Sequence, residues 1–172
     1  MKGKNFMKRF LAILMAISML AVFAGCDPIH GDSTGGSNNP GATEGFSYTL
    51  AGVKLTPGAA FPKDQLPEPA SVYTVPSCAI EGMDNVYNYT TVEVTAFQDS
   101  NGEVIYSIFI LDANTPTPEG LFIGDALSQA EALYGTDYQR QDNQITYTKG
   151  NTLLVMLLQN DFINTIEYRL AT

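Results

Sequence analysis

From Phe46 onward the apolar positions of this chain mostly follow a period of two. Phe46, Tyr48 and Leu50 alternate with their neighbours, and Gly52-Val53-Lys54-Leu55 follows. Aromatic and β-branched residues then mark strands expected at 71–75, 86–90, 92–98 and 104–111. Asp99-Ser100-Asn101-Gly102 separates the last two and reads as a hairpin turn, because Asn-Gly tolerates positive φ. Pro57, Pro62, Pro67 and Pro69 break the stretch before these strands and leave room for one short turn of helix around 63–66. After residue 125 the period changes. Leu127, Ala130, Leu133 and Tyr134 make one stripe at helical spacing, which predicts a helix over 126–134 docked by that stripe. Asp125 is its expected N-cap, with Ser128 and Glu131 as a capping box if it starts later, and Gly135 its stop. Strands at 144–148, 152–159 and 162–170 complete the pattern, joined by turns at 149–151 and 160–161.

A faint internal repeat runs through these elements. Gly52-Val53-Lys54-Leu55 stands to the first strand set as Gly120-Leu121-Phe122-Ile123 stands to the second, and Val104–Ile108 aligns with Phe162–Ile166. The expected fold is α+β: two degenerate α/β-meander repeats, about 46–111 and 118–172, with antiparallel sheets of three strands each and one clear helix. The strand at 152–159 is apolar on both faces, Leu153, Val155 and Leu157 on one and Leu154, Met156 and Leu158 on the other. A one-sided antiparallel sheet would alternate. The helix covers one face; the other half of the repeat is the cheaper explanation for what covers the second, and a partner protein is the alternative.

The first 45 residues follow a different pattern. Lys2, Lys4, Lys8 and Arg9 precede an apolar run over 10–24, long enough for a signal peptide and short for a membrane span of about 20 residues. Ala24-Gly25-Cys26 closes the run and resembles the lipobox of bacterial lipoproteins, although Phe23 stands where that motif usually has Leu, Val or Ile. The resemblance implies cleavage before Cys26 and diacylation of its thiol. Two other readings are a peptide removed by the ordinary signal peptidase and an uncleaved anchor helix; the cysteine at the end of the apolar run favours lipidation. Two acyl chains anchor a protein stably where one does not. Residues 26–45, rich in Gly, Ser, Asn and Pro, cannot bury enough apolar area to repay ordering. They read as a flexible tether with a reach on the order of 25 Å, and 46–172 as the folded domain.

Charge and composition narrow the function. Removal of 1–25 leaves five basic against eighteen acidic residues, a net charge of −13, which repels phosphate backbones and excludes nucleic acid as a partner. The only histidine, His30, lies in the tether, so the domain has no imidazole for a nucleophile or a metal. No phosphate-binding glycine loop or calcium loop is present, and tryptophan is absent. With Cys26 acylated, Cys78 is left without an intramolecular partner. It is either a possible reactive thiol or a small buried hydrophobe beside Pro76 and Ile80, and no cation near it in sequence lowers its pKa. Paired carboxylates across a cleft stay open, since sequence spacing does not force a meeting.

Gly120-x-x-Ile123-Gly124-Asp125, Tyr134-Gly135, Tyr147-x-Lys149-Gly150-Asn151, Ile166-Glu167-Tyr168 and Ser77-Cys78-Ala79-Ile80-Glu81-Gly82 together resemble a module of Gram-positive exported lipoproteins of unassigned function. That module is similar in fold to the β-lactamase-inhibitor-protein type and to outer-membrane-assembly lipoproteins of the SmpA/OmlA type. The resemblance covers about 46–172 and implies a protein-binding role, with no binding residue carried over. The expectation is therefore a lipoprotein in the cell membrane, facing outside the cytoplasm, with a non-enzymatic interaction domain, no cofactor and another envelope protein as the candidate partner. The alternative is a small envelope enzyme or ligand sensor using carboxylates or Cys78. Cys26→Ala is expected to abolish incorporation of labelled fatty acid in growing cells; an acylated variant would refute the anchor.

Overall fold

In the computed structural model of the chain, residues 44–77 and 81–172 are described. The leader, Cys26, nearly all of the tether and Cys78 lie outside the described residues. A hairpin of β1 (Tyr48–Leu50) and β2 (Val53–Leu55) comes first, turning through Ala51 and Gly52, both at positive φ. A single 3-10 turn, Lys63–Gln65, is all the helix that the prolines allow. Then come β3 (Ser71–Pro76), β4 (Met83–Asn88), β5 (Val92–Asp99) and β6 (Gly102–Ile110), the helix α1 (Leu127–Tyr134), and β7 (Gln139–Gln141), β8 (Gln144–Lys149), β9 (Thr152–Gln159) and β10 (Phe162–Leu170).

The strands from β3 to β10 form one eight-stranded antiparallel sheet in the order β3-β4-β5-β6-β10-β9-β8-β7. This corrects the expectation of separate three-stranded sheets. Each half is a four-stranded meander, and β6 and β10 pair through Phe109 with Glu167, Ile108 with Tyr168 and Ser107 with Arg169. Pairing removes an exposed edge from both halves at once. The polar strand β7, Gln139-Arg140-Gln141, carries no apolar signal and was not expected; it caps one edge of the sheet with exposed side chains. The strand expected at 86–90 starts three residues earlier and ends sooner. Thr90 sits at positive φ in the turn that follows, its N–H held by Asn88 Oδ1 at 2.9 Å.

One face of the sheet carries the core. Tyr87, Val94, Ile108, Tyr168, Met156 and Ile145, one from each of six strands, pack with Tyr48, Leu55, Phe61, Leu121 and Ala130 of the layer above. Aromatic pairs tie the layers: Phe61 to Tyr87 at 4.7 Å between ring centroids, Tyr48 to Tyr168 at 6.0 Å and Tyr134 to Tyr147 at 5.5 Å. Two loops enter this layer the same way. Gly58 donates to Ile105 O and Phe61 to Glu103 O, while Gly124 donates to Ile163 O and Leu127 to Asp161 O. Gly58 has φ +88°, and a Cβ there would lie 2.9 Å from Leu170 Cδ1, so two constraints favour glycine.

Helix α1 differs from expectation in two respects. Its N-cap is Ala126, whose N–H reaches Gln129 Oε1 at 3.4 Å. Asp125 instead closes the preceding turn, accepting from Phe122 N–H at 2.8 Å. Gly135, at φ +86°, ends the helix as expected, donating to Glu131 O. Of the stripe, Ala130 is fully buried and Leu127 and Tyr134 pack on the core, but Leu133 is 43% exposed. At about 100° per residue Leu133 lies some 100° or more from the 127–134 line, outside a stripe only three side chains wide. Leu133→Ala is therefore expected to shift stability by no more than about 0.5 kcal/mol, and Leu154→Ala, at 0% exposure on β9, to cost about 2–5 kcal/mol. Denaturant melts of the full chain give the ordering, and equal midpoints would contradict the placement of the core.

Candidate functional site on the second face of the sheet

Strand alternation sends every other side chain of β3 to β10 to the face away from the core. Val86 and Val155 are buried there, at 3% and 5% exposure, yet belong to this second face rather than to the core cluster. The register lines up rows across the sheet. One runs Tyr73, Val86, Thr95, Ser107, Arg169, Leu153 from β3 to β9. The next runs Asn88, Glu93, Phe109, Glu167, Val155, Thr146 from β4 to β8. The elements outside the sheet, β1, β2, the 3-10 turn and α1, contribute their packed side chains to the other side. Among the described residues no element covers this second face.

A hollow of about 310 Å³ lies where β3, β4, β5 and β6 meet on it. Val86 and Thr95, paired across β4 and β5, form the floor, and Tyr73 and Tyr106 stand beside it. Tyr106 is an extra residue: Thr95 pairs with Ser107 and Ala96 with Ile105, so a bulge at 106 re-aims its ring. Asp84 and Glu93 are the acids of the hollow. Tyr73 donates to Glu93 Oε2 at 2.8 Å, and this carboxylate holds the Tyr73 hydroxyl above the ordinary tyrosine range. Asp84 is only 3% exposed, and its Oδ1 has no hydrogen-bond partner among the described residues. No lysine or arginine lines the hollow. Arg169, across from Ser107, lies 3.8 Å from Glu167.

Two polar clusters on the opposite side are structural. Tyr87 donates to Glu103 Oε1 at 2.5 Å, Asn85 Nδ2 donates to the same oxygen at 2.7 Å, and Lys63 Nζ stands 3.3 Å from the Tyr87 hydroxyl and 5.1 Å over its ring. This pins the 3-10 turn to β4 and β6. Around α1, Tyr134 bonds Thr117 Oγ1 at 2.8 Å and Glu119 Oε2 at 2.7 Å, Tyr138 donates to Glu131 at 2.8 Å, and Tyr147 donates to Gly135 O at 3.0 Å. Burial pushes Tyr147 up to about 12 and Tyr87, Tyr134 and Tyr168 higher still. These hydroxyls therefore stay protonated near neutral pH, and those of Tyr87, Tyr134 and Tyr147 serve as donors.

Both residues singled out in the sequence, Cys26 and Cys78, fall outside the described residues. Asp84, Glu93, Tyr73 and Tyr106 were not singled out. Acid and tyrosine on strands are ordinary surface residues in sequence, and only the register and the bulge bring these four together. Among the described residues no group of three His, Cys, Asp or Glu side chains is placed to hold a metal ion, and no helix is long and apolar enough to cross a membrane.

Glu167 carries a pH signature. Burial raises its pKa above the ordinary 4.5, against the opposing pull of Arg169 and a hydrogen bond with Ser107. The folded state then binds this proton more tightly than the unfolded chain does. Its contribution favours folding most below pH 4.5 and is lost as pH rises through the raised value. Glu167→Gln is expected to raise the melting midpoint at pH 7 and to lose that advantage as pH falls below about 4; an advantage independent of pH would contradict the assignment.

Comparison with known protein families, characterised proteins and solved structures yields no match to this chain, so the chemistry of this face rests on its own residues.

Proposed function

We infer that this chain is a membrane-anchored extracytoplasmic lipoprotein whose folded part is a non-enzymatic binding module working through the second face of its sheet. One observation carries the reading: an eight-stranded sheet whose described covering elements all lie on one side, with Phe97, Phe109, Val155 and Leu157 on the face that no described element covers. Apolar and aromatic side chains on a broad uncovered sheet are what a protein partner buries. The Cys26 anchor and the tether support a location outside the cytoplasm, and the module resemblance, which rests on its quoted motifs alone, points to the same kind of role. A ligand-sensing variant of the reading is favoured by the unpartnered Asp84 oxygen in the hollow.

In this reading the two meanders are degenerate repeats. Laying Val104–Ile108 on Phe162–Ile166 places Tyr106 on Asn164, and these are the extra residues at the bulges of β6 and β10. The isolated bridges Ala60 to Val104 and Ala126 to Phe162 match as well. They support a register of Leu55-x-x-Gly58-x-Ala60 on Leu121-x-x-Gly124-x-Ala126, displaced by two residues from the Gly52–Gly120 match (120 − 52 = 68 against 121 − 55 = 66).

Phe109→Arg places a charge at the centre of the second face, and Leu133→Arg places one on the exposed side of α1. With the tethered chain as bait in envelope membranes, chemical crosslinking is expected to yield a discrete adduct that weakens about tenfold or more with Phe109→Arg. It should persist with Leu133→Arg, both variants having native circular dichroism. An adduct insensitive to Phe109→Arg would remove this face from the reading.

A further inference from the structure

The hollow between β3 and β6 has a chemistry of its own. It has an acid at each end, Asp84 in the row of Val75 and Phe97, and Glu93 two rows away. Their backbone positions are separated by four residues along the β4–β5 ladder, about 13 Å. Between them lie the apolar wall of Val86 and the hydroxyl of Thr95, flanked by the rings of Tyr73 and Tyr106. Asp84 is 97% removed from solvent by its 3% exposure, and its Oδ1 has no donor among the described residues. A buried carboxyl oxygen without a donor is costly, so native proteins seldom leave one unpaired. A donor entering the hollow would supply the missing partner.

The surroundings select the class of donor. An anion is excluded by the two acids and by a domain with five basic residues against sixteen acidic ones over 44–172. A divalent metal wants several oxygens converging on one point, and no such group exists among the described residues. An alkylammonium group fits each part. Its –NH₃⁺ supplies donors for Asp84, its methylene stem lies over Val86, and the faces of Tyr73 and Tyr106 suit a cation and its adjacent carbons. The volume, about 310 Å³, matches a short aliphatic chain. We propose that this hollow is a binding site for a primary alkylammonium, with the charged head on Asp84 and the stem running along the β4–β5 floor toward Glu93. The inference rests on the reading of the second face as the binding surface and gives that surface its polar anchor. The same group comes from two sources, a free aliphatic diamine or a lysine side chain of a protein.

Titration calorimetry on the full chain in detergent tests this with three probes: 1,5-diaminopentane, Nα-acetyl-lysine methylamide and, as the uncharged control, 1-pentanol. Saturable binding of at least one amine and none of pentanol is expected. Asp84→Asn should weaken it about tenfold or more, and Glu93→Gln should weaken the diamine more than the lysine derivative. Tighter binding of the diamine points to a free amine, and equal or tighter binding of the lysine derivative to a protein side chain. Should Asp84→Asn fail to fold, Glu93→Gln and Tyr106→Ala carry the test on the second acid and the wall. No saturable binding of either amine up to millimolar concentration, or binding untouched by these substitutions, overturns the proposal. If the Phe109→Arg crosslinking result holds while the amines do not bind, only this inference falls. If both fail, the binding-face reading falls with it.

Discussion

β6 and β10 each finish a four-stranded meander, and each would present an open row of backbone donors and acceptors if the other were missing. Their pairing closes both edges and makes a sheet eight strands wide, which is the constraint on which the rest of the described fold depends. It sets Ile108 and Tyr168 side by side beneath the covering layer and sets Phe109 opposite Glu167 on the second face. Without this ladder the two halves would each have a narrow face, too small for the layer that now spans them. The outer edges are managed differently. β7 is short and polar, and β3 carries Pro76 at its end with mostly exposed side chains.

The covering layer is thin, and tyrosine does much of the joining. Among the described residues one helix, a 3-10 turn and a short hairpin lie over the sheet, so aliphatic burial is supplemented by rings whose hydroxyls reach polar groups at the rim. Tyr147 shows the economy: its ring touches Tyr134 and Tyr138, and its hydroxyl bonds the carbonyl of Gly135 just past the helix end. A carbonyl at a helix C-terminus otherwise lacks an intrahelical donor. Tyr134 does the same for Thr117 and Glu119 in the loop before α1. Each such residue buries a large apolar body and satisfies one polar group, which suits a domain with little helix to spread over its sheet.

The two faces therefore differ in kind. The covered one is aliphatic and aromatic, with several hydroxyls spent on internal bonds and those of Tyr89 and Tyr168 left without a hydrogen-bond partner among the described residues. The second mixes Val86, Val155 and phenylalanine with Asp84, Glu93, Glu167 and Arg169, groups that a fully buried core would reject. Glu167 and Arg169 answer one another along β10, and Glu93 answers Tyr73. Asp84 Oδ1 is answered by nothing described.

Much of the element pattern was legible in the sequence, because it follows from local chemistry. Alternation marked the main strands, Asn101-Gly102 marked a hairpin, prolines limited the first half to one 3-10 turn, and Gly135 ended the helix where a positive φ was needed. The two apolar faces of β9 called for cover on both sides, but the other half joins the sheet edge to edge and leaves the second face without cover among the described residues. Other features were decided by tertiary structure, for identifiable reasons. Leu133 has the residue type of a core position, but the angular width of the contact leaves it outside. Asp125 has the residue type of a cap, but the pairing of Gly124 and Asp125 with Ile163 turns it toward Phe122. The merging of two meanders into one sheet depends on which edges meet, a long-range choice with no local signature. The hollow depends on it further: Asp84, Glu93, Tyr73 and Tyr106 lie on four strands, and only ladder register and a one-residue bulge bring them around one hollow.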